Sequence, residues 1–197
     1  MTLFRKLYDW VLHWADTPRG PQALSLLSLA ESSFFPVPPD PLLIALCLGS
    51  PKKSLRFALY TAVASVIGGM IGYLIGFSVW EAVDSFFFKY IPGFSPESFQ
   101  NVLNHYQVQG FWYVFLAGLT PIPYKIFTIA SGVFKMNFIL FIIASTISRS
   151  LRFFAVASLF RKYGPGIKGF IDRYFNWLAL LFFVLLLAGF LIIKYVF

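Results

Sequence analysis

Five ionisable side chains stand inside stretches apolar enough to be buried in lipid: Glu31 and Asp40 in "ESSFFPVPPDPLL", Lys125 in "TPIPYKIFTIASG", and Arg149 and Arg152 in "IIASTISRSLRFF". A charge at the bilayer centre costs roughly 2.5–3.5 kcal/mol on insertion scales, so each of them needs a partner or a task. Carboxylates withdrawn from water are proton-relay candidates, because burial disfavours their charged form and a second carboxylate nearby adds to that bias. Glu31 and Asp40 are therefore the candidate proton-coupling residues. The blander alternatives are a helix N-cap for Asp40, which follows "VPP", and simple nearness to lipid headgroups for Glu31. Lys125, Arg149 and Arg152 set three cations against these two anions. Either they pair off internally, or the surplus charge receives a phosphate or another anionic headgroup, which arginine grips bidentately. Arg149 and Arg152 are three apart and share one helix face. Arg149 lies 12 residues into its stretch, deep in the membrane, whereas Arg152 is expected close enough to the cytoplasm to snorkel there.

The elements that must position these groups follow from composition and breaks. The chain is 58% hydrophobic and 12% charged, against about 25% charged in soluble domains, and its mean hydropathy is +0.74. It reads as an all-α integral membrane protein. Residues 55–80, 137–160 and 174–196 are each long enough to span a bilayer, which takes about 20 apolar residues, giving three transmembrane helices. Two more apolar stretches, 22–49 and 111–134, are interrupted by Pro36, Pro38 and Pro39 and by Pro121 and Pro123. Their halves are too short to span, which suits two re-entrant helical hairpins better than two kinked spans. Residues 1–20 place Leu3, Phe4, Leu7, Trp10, Val11 and Trp14 at helical spacing, an amphipathic helix for the interface. The organisation is thus an interfacial helix (1–20), a transport core (21–160), and a basic cytoplasmic loop with a C-terminal transmembrane helix (161–197).

Both interrupted stretches read Pro-aliphatic-Pro, then a charge four residues after the first proline, then an apolar run ending in glycine. A long span follows each. This is the pattern of an inverted repeat whose broken helices meet at the midplane around a substrate. In "SVIGGMIGYLIG", Gly68, Gly72 and Gly76 recur every fourth residue with Ser65 close to the same stripe, which favours close helix packing over substrate contact.

With a cytoplasmic N-terminus and two returning hairpins, ten basic residues stay inside (Arg5, Lys6, Arg19, Lys52, Lys53, Arg56, Arg161, Lys162, Lys168, Arg173) and three outside (Lys89, Lys135, Lys194). That bias matches the positive-inside rule and explains most of the +8 net charge through anionic lipid headgroups rather than nucleic acid. Glu81, Asp84 and Glu97 fall in the external connection, residues 81–109. Cys47 has no disulfide partner, His13 and His105 have no metal-ligand companions, and no hydrolase, zinc-protease, nucleotide or dinucleotide motif is present, so neither a metal, a cofactor nor an enzymatic reaction is expected.

The combination of "ESSFFPVPPDPLL", "GGMIGYLIG" and "LAGLTPIPYKIFTIASGVFKMNF" resembles the DedA family, also called the SNARE-associated Golgi or VTT-domain family, and especially its YqaA-like branch. The resemblance implies a multi-pass protein of the bacterial inner membrane with two opposed re-entrant hairpins. It further implies movement of lipids, polyprenyl phosphate included, linked to the proton-motive force, with the family's acidic pair at Glu31 and Asp40. The family's second motif carries arginines three before and three after the proline matching Pro121; Gly118 and Tyr124 stand there instead, with Lys125 displaced by one. The leading reading is a flippase for an anionic lipid, with membrane lipids as partners and protons as the coupling ion. A proton- or cation-coupled carrier of a small ion and a non-transporting scaffold are the alternatives.

The charge asymmetry generates a topology test. Single-cysteine labelling in a Cys47-free background is expected to find positions near Lys52 inside and positions near Glu97 outside. Labelling of both from one side would overturn the assignment.

Overall fold

The computed structural model describes residues 14, 17–90, 95–164 and 184, and all regular structure among them is helical. In chain order these are α1 (Gly20–Ser33), α2 (Asp40–Gly49), a 3-10 turn (Pro51–Lys53), α3 (Ser54–Tyr90), α4 (Pro96–Leu119), α5 (Tyr124–Val133) and α6 (Phe138–Tyr163). Most of the expected interfacial helix, the basic loop beyond residue 164 and the C-terminal span lie outside the described residues. Two helical stretches, Pro51–Ala82 and Phe138–Tyr163, are long and apolar enough to cross a bilayer.

The helical path breaks at both proline clusters. α1 stops with the Phe34 and Phe35 amides both donating to the carbonyl of Ala30, at 2.9 and 2.8 Å. Pro36, Pro38 and Pro39 then hold their preceding residues away from helical geometry. α2 restarts with Pro41 in its first turn, where the missing amide hydrogen is no loss. At the second break Pro123 is extended and α5 follows it directly. α6 opens on Asn137, whose side chain accepts from the amides of Ile139 and Leu140 at 3.0 and 3.1 Å, an N-cap that sets where the helix begins.

The helices overrun their expected bounds between the two repeats. α3 continues ten residues past 80 to Tyr90, because "EAVDSFFFKY" contains no glycine or proline to stop it. α4 begins at Pro96, with Glu97 in its first turn, both favourable at a helix start. The stretch 81–109 is therefore helical at both ends, and the first arm of the second interrupted stretch is much longer than its apolar part.

Packing follows an exchange. α1 lies on α3 and α4 on α6, each first arm against the long helix that follows it, while α2 reaches α6 and α5 reaches α3, each second arm against the other long helix. One apolar cluster (Leu24, Leu43, Phe57, Phe153 and neighbours) ties α1, α2 and the start of α3 to the end of α6. A second (Tyr73, Val114, Tyr124, Phe141 and neighbours) ties the middle of α3 to α4, α5 and the start of α6. Between them lies a layer of buried hydroxyls and charge containing Ser32, Ser65, Thr128, Ser145 and Arg149.

The glycines of α3 set its distance from α1 and α5. A Cβ on Gly68 would collide with the carbonyl of Leu29 on α1, one on Gly76 with the carbonyl of Ile129 on α5, and one on Gly72 with Thr128. Gly132 on α5 faces the carbonyl of Tyr73 in the same way. Backbone cannot yield as a side-chain tip can, so Gly68→Val and Gly76→Val should each lower stability by about 1–3 kcal/mol or more, read as a fall in melting temperature in detergent. Gly49→Ala, where nothing lies within 4 Å, should be neutral. Equal melting for all three would refute this packing role.

Candidate functional site

The polar layer is assembled from five helices. Arg149 on α6 is 2% exposed; its Nη2 donates to Glu31 Oε2 on α1 at 2.8 Å and its Nε to Ser65 Oγ on α3 at 2.6 Å. Ser32 Oγ bonds Ser65 Oγ at 2.7 Å and donates to Glu31 Oε2 at 3.2 Å. The guanidinium sits between two rings, 4.6 Å from the centroid of Tyr124 and 4.7 Å from that of Phe153. Tyr124 is held in turn by donating to Ser145 Oγ at 2.6 Å. Such cation–π contacts contribute about 0.5–2 kcal/mol each, and hydrogen bonds to charged groups about 1.5–3. Together they offset the burial of a charge that has almost no water.

One helical turn along α6, Arg152 forks onto Asp40 at the start of α2, Nη2 to Oδ2 at 3.0 Å and Nε to Oδ1 at 3.4 Å. Its remaining arm, Nη1, donates to the carbonyl of Thr120 in the second break at 2.8 Å. Lys125, at the start of α5, reaches across to donate to the carbonyl of Phe35 in the first break at 3.1 Å. Thr128 Oγ1 makes a further tie from α5 to the carbonyl of Ser32, at 3.1 Å. Both breaks are thus clasped by cations, one from each side.

All five charged residues singled out in the sequence gather in this layer, with partners that the sequence left open. Arg152 does not run out toward cytoplasmic water: a bidentate carboxylate and a backbone carbonyl hold it inward, the geometry arginine's planar fork favours. Asp40 does not cap α2, since its carboxylate makes no capping bond and faces Arg152. Glu31 and Asp40 each take their own arginine rather than forming one acidic pair. Lys125 is the cation left holding a neutral acceptor. The two ion pairs also differ in access: Arg149 and Glu31 side chains are 3% and 14% exposed, Arg152 and Asp40 both 21%.

The hydroxyls that complete the layer were the least visible part. Ser65 falls beside the glycine stripe, but the motifs give no side-chain role to Ser32, Thr128, Tyr124 or Ser145. A usable signal was the fourth-residue recurrence of small hydroxyl residues, Ser28 and Ser32 on α1 and Thr61 and Ser65 on α3. Ser28 donates to the carbonyl of Thr61 and Ser33 to that of Gly68, both at 2.8 Å. Among the described residues no three His, Cys, Asp or Glu side chains gather as a metal site.

Gly118 and Tyr124, the positions flanking the second proline pair, both border Arg149. A Cβ on Gly118 would stand 3.5 Å from Arg149 Cδ and would press on Ser148, while the Tyr124 ring lies against the guanidinium. Positive charge from α6 therefore fills the space next to both.

Residues 35–162 match the VTT domain family. A protein of Haemophilus influenzae is 39% identical over 159 residues, covering 81% of each chain, and a Histophilus somni protein is 36% identical over 159 residues, covering 81% of this chain and 82% of its own. The names of these relatives state no activity. No solved structure matches the chain significantly. The matched span takes in the first break, α2 to α6 and every cation of the polar layer, and on this match and these relatives the chain belongs to the membrane-associated VTT-domain, or DedA, family.

Proposed function

We propose that this protein moves an anionic lipid across the bacterial inner membrane, coupled to the proton-motive force and in support of envelope homeostasis. Its two interrupted stretches are re-entrant hairpins, and its N-terminus is cytoplasmic. The observation that carries this reading is the charge balance of the clasped breaks: three cations face two carboxylates, and the third, Lys125, holds only the carbonyl of Phe35. The exchange of packing partners between the two halves supports the inverted repeat, an arrangement that places substrate sites at the repeat interface.

The mechanism follows from competition for the same guanidinium groups. A lipid phosphate and the Asp40 carboxylate both suit the fork of Arg152, and they cannot occupy it together. Protonating Asp40 removes its charge, frees Arg152, and leaves Arg152 and Lys125 to hold the phosphate across the two breaks. Deprotonation restores the carboxylate and expels the lipid. The Glu31–Arg149 pair, nearly closed to water, is the second stage of this exchange: protonating Glu31 frees Arg149 toward the centre. The access difference makes Arg152 the first contact for an arriving headgroup, ahead of Arg149.

Two predictions follow from this division of labour. In liposomes carrying labelled phosphatidylglycerol or polyprenyl phosphate, with and without a pH gradient, Asp40→Asn and Glu31→Gln should each abolish gradient-dependent lipid movement with near-normal abundance. The amide copies the neutral state and halts the cycle. Arg152→Ala and Lys125→Ala should weaken binding of phosphate-bearing lipid while insertion persists. Wild-type movement in all four variants would remove the charged layer from the mechanism. Lipid-independent proton flux with no lipid movement would favour a small-ion carrier.

The buried pair behaves differently. Arg149→Ala leaves Glu31 without its cation, and breaking a buried pair costs about 3–5 kcal/mol, so this variant should melt early in detergent. Arg149→Lys should restore part of the stability and less of the activity, because lysine cannot reach Ser65 and Glu31 with one planar fork. A normal melting point for Arg149→Ala would contradict the stabilising role of the buried pair.

A further inference from the structure

Two cavities flank α1. The first, about 470 Å³, is an apolar groove floored by Ala23, Leu26 and Ala30, with Arg19 at its mouth and Phe35 and Leu42 at its far end. From Arg19 to Ala30 it follows roughly 16 Å of helix. The second, about 490 Å³, lies on the adjoining face of α1 against the start of α3, where Lys53, Arg56 and Tyr60 meet Ser25. Gln22 lines both cavities. Among the described residues neither cavity is lined by a carboxylate, and the three cations are exposed.

We propose that the two cavities form one docking site for a single anionic phospholipid of the adjoining leaflet, its phosphate on Lys53 and Arg56 and one acyl chain in the groove beyond Gln22. The pairing of surfaces selects this occupant. A soluble anion would leave the apolar groove in water, and a neutral lipid would leave the cations unmatched. An amphiphile with a charged head and a chain of this reach satisfies both. The amide end of α1, which starts at Gly20, adds its partial positive charge on the same side. The groove's far wall is Phe35, whose carbonyl Lys125 holds, so the docked chain lies against the outside of the first break. The site goes beyond the transport reading and stands whether or not the lipid then crosses.

The test uses the purified full chain with a phosphatidylglycerol bearing a diazirine in its acyl chain, photolysed and mapped by peptide mass spectrometry. Cross-links are expected on residues 23–42. The double variant Lys53→Gln/Arg56→Gln, altered only at exposed positions, should lower their yield about 25-fold, near fivefold for each cation removed. The corresponding phosphatidylcholine probe should label weakly and equally in both proteins. Ala23→Phe, which fills the groove, should abolish labelling by either probe, and glycerol phosphate should fail to compete. Undiminished labelling in the double variant, labelling that maps elsewhere, or full competition by glycerol phosphate would each overturn the site. Glu31→Gln separates the two ideas: it should stop movement and leave this labelling intact.

Discussion

A helix that ends where water is scarce leaves backbone carbonyls and amides that only the protein itself can satisfy. Both proline breaks meet this constraint with cations, Lys125 on the carbonyl of Phe35 and Arg152 on that of Thr120. An unsatisfied buried acceptor costs about 1–3 kcal/mol, and a cation brought in to relieve it carries its own desolvation. Asp40, at the foot of the first break, answers that second demand by taking the fork of Arg152. Prolines, cations and acid are therefore one unit. Once the chain is broken in an apolar setting, charge is the means of holding the break, and an opposite charge must travel with it.

The remainder of the fold keeps this unit from relaxing. α3 approaches α1 and α5 so closely that glycine is required at 68 and 76 by facing backbone and at 72 by the Thr128 side chain. Hydroxyls then knit neighbouring helices across the gap: Ser28 to Thr61, Ser33 to Gly68, Thr128 to Ser32 and Tyr73 to Met136. Individually such bonds are worth about 0.6 kcal/mol in a membrane setting, so their value lies in number and in fixing register. Tightly packed backbones leave no room for the layer to open by side-chain rotation alone.

Much of this was legible in the sequence, and the reasons for the rest are physical. Proline chemistry announced both breaks, since a ring without an amide hydrogen interrupts a helix wherever it stands. The cost of burying charge singled out Glu31, Asp40, Lys125, Arg149 and Arg152 before any contact was known. What periodicity could not supply was the pairing. Glu31 and Arg149 are joined across 118 positions, a distance set by how α1 and α6 both meet α3. Arg152 looked free to snorkel because depth along one helix says nothing about a carboxylate arriving from another. Residues 81–109 read as a connection because charge counting sets them between spans, yet α3 and α4 run well into them; a gap between apolar spans does not by itself unwind a helix. Ser32 and Thr128 escape notice for the opposite reason, and Ser65 reads only as packing, because small hydroxyls pass for packing residues until a guanidinium or a carbonyl is set beside them.

The departures at Gly118 and Tyr124 become intelligible once Arg149 is placed. An arginine at 118 would have to pass Ser148, which already touches the position a Cβ would occupy, and an arginine at 124 would displace the ring that faces the Arg149 guanidinium. Three like charges in that volume would repel at short range with little water to screen them. Glycine at 118, tyrosine at 124 and arginine at 149 therefore form a consistent set, in which the cation is delivered from the long helix α6 and the second break is relieved of it. The consequence is mechanical as well as electrostatic. A cation rooted in α6 and paired to α1 is not borne by the short arm α5, so Lys125 is the cation that α5 itself carries.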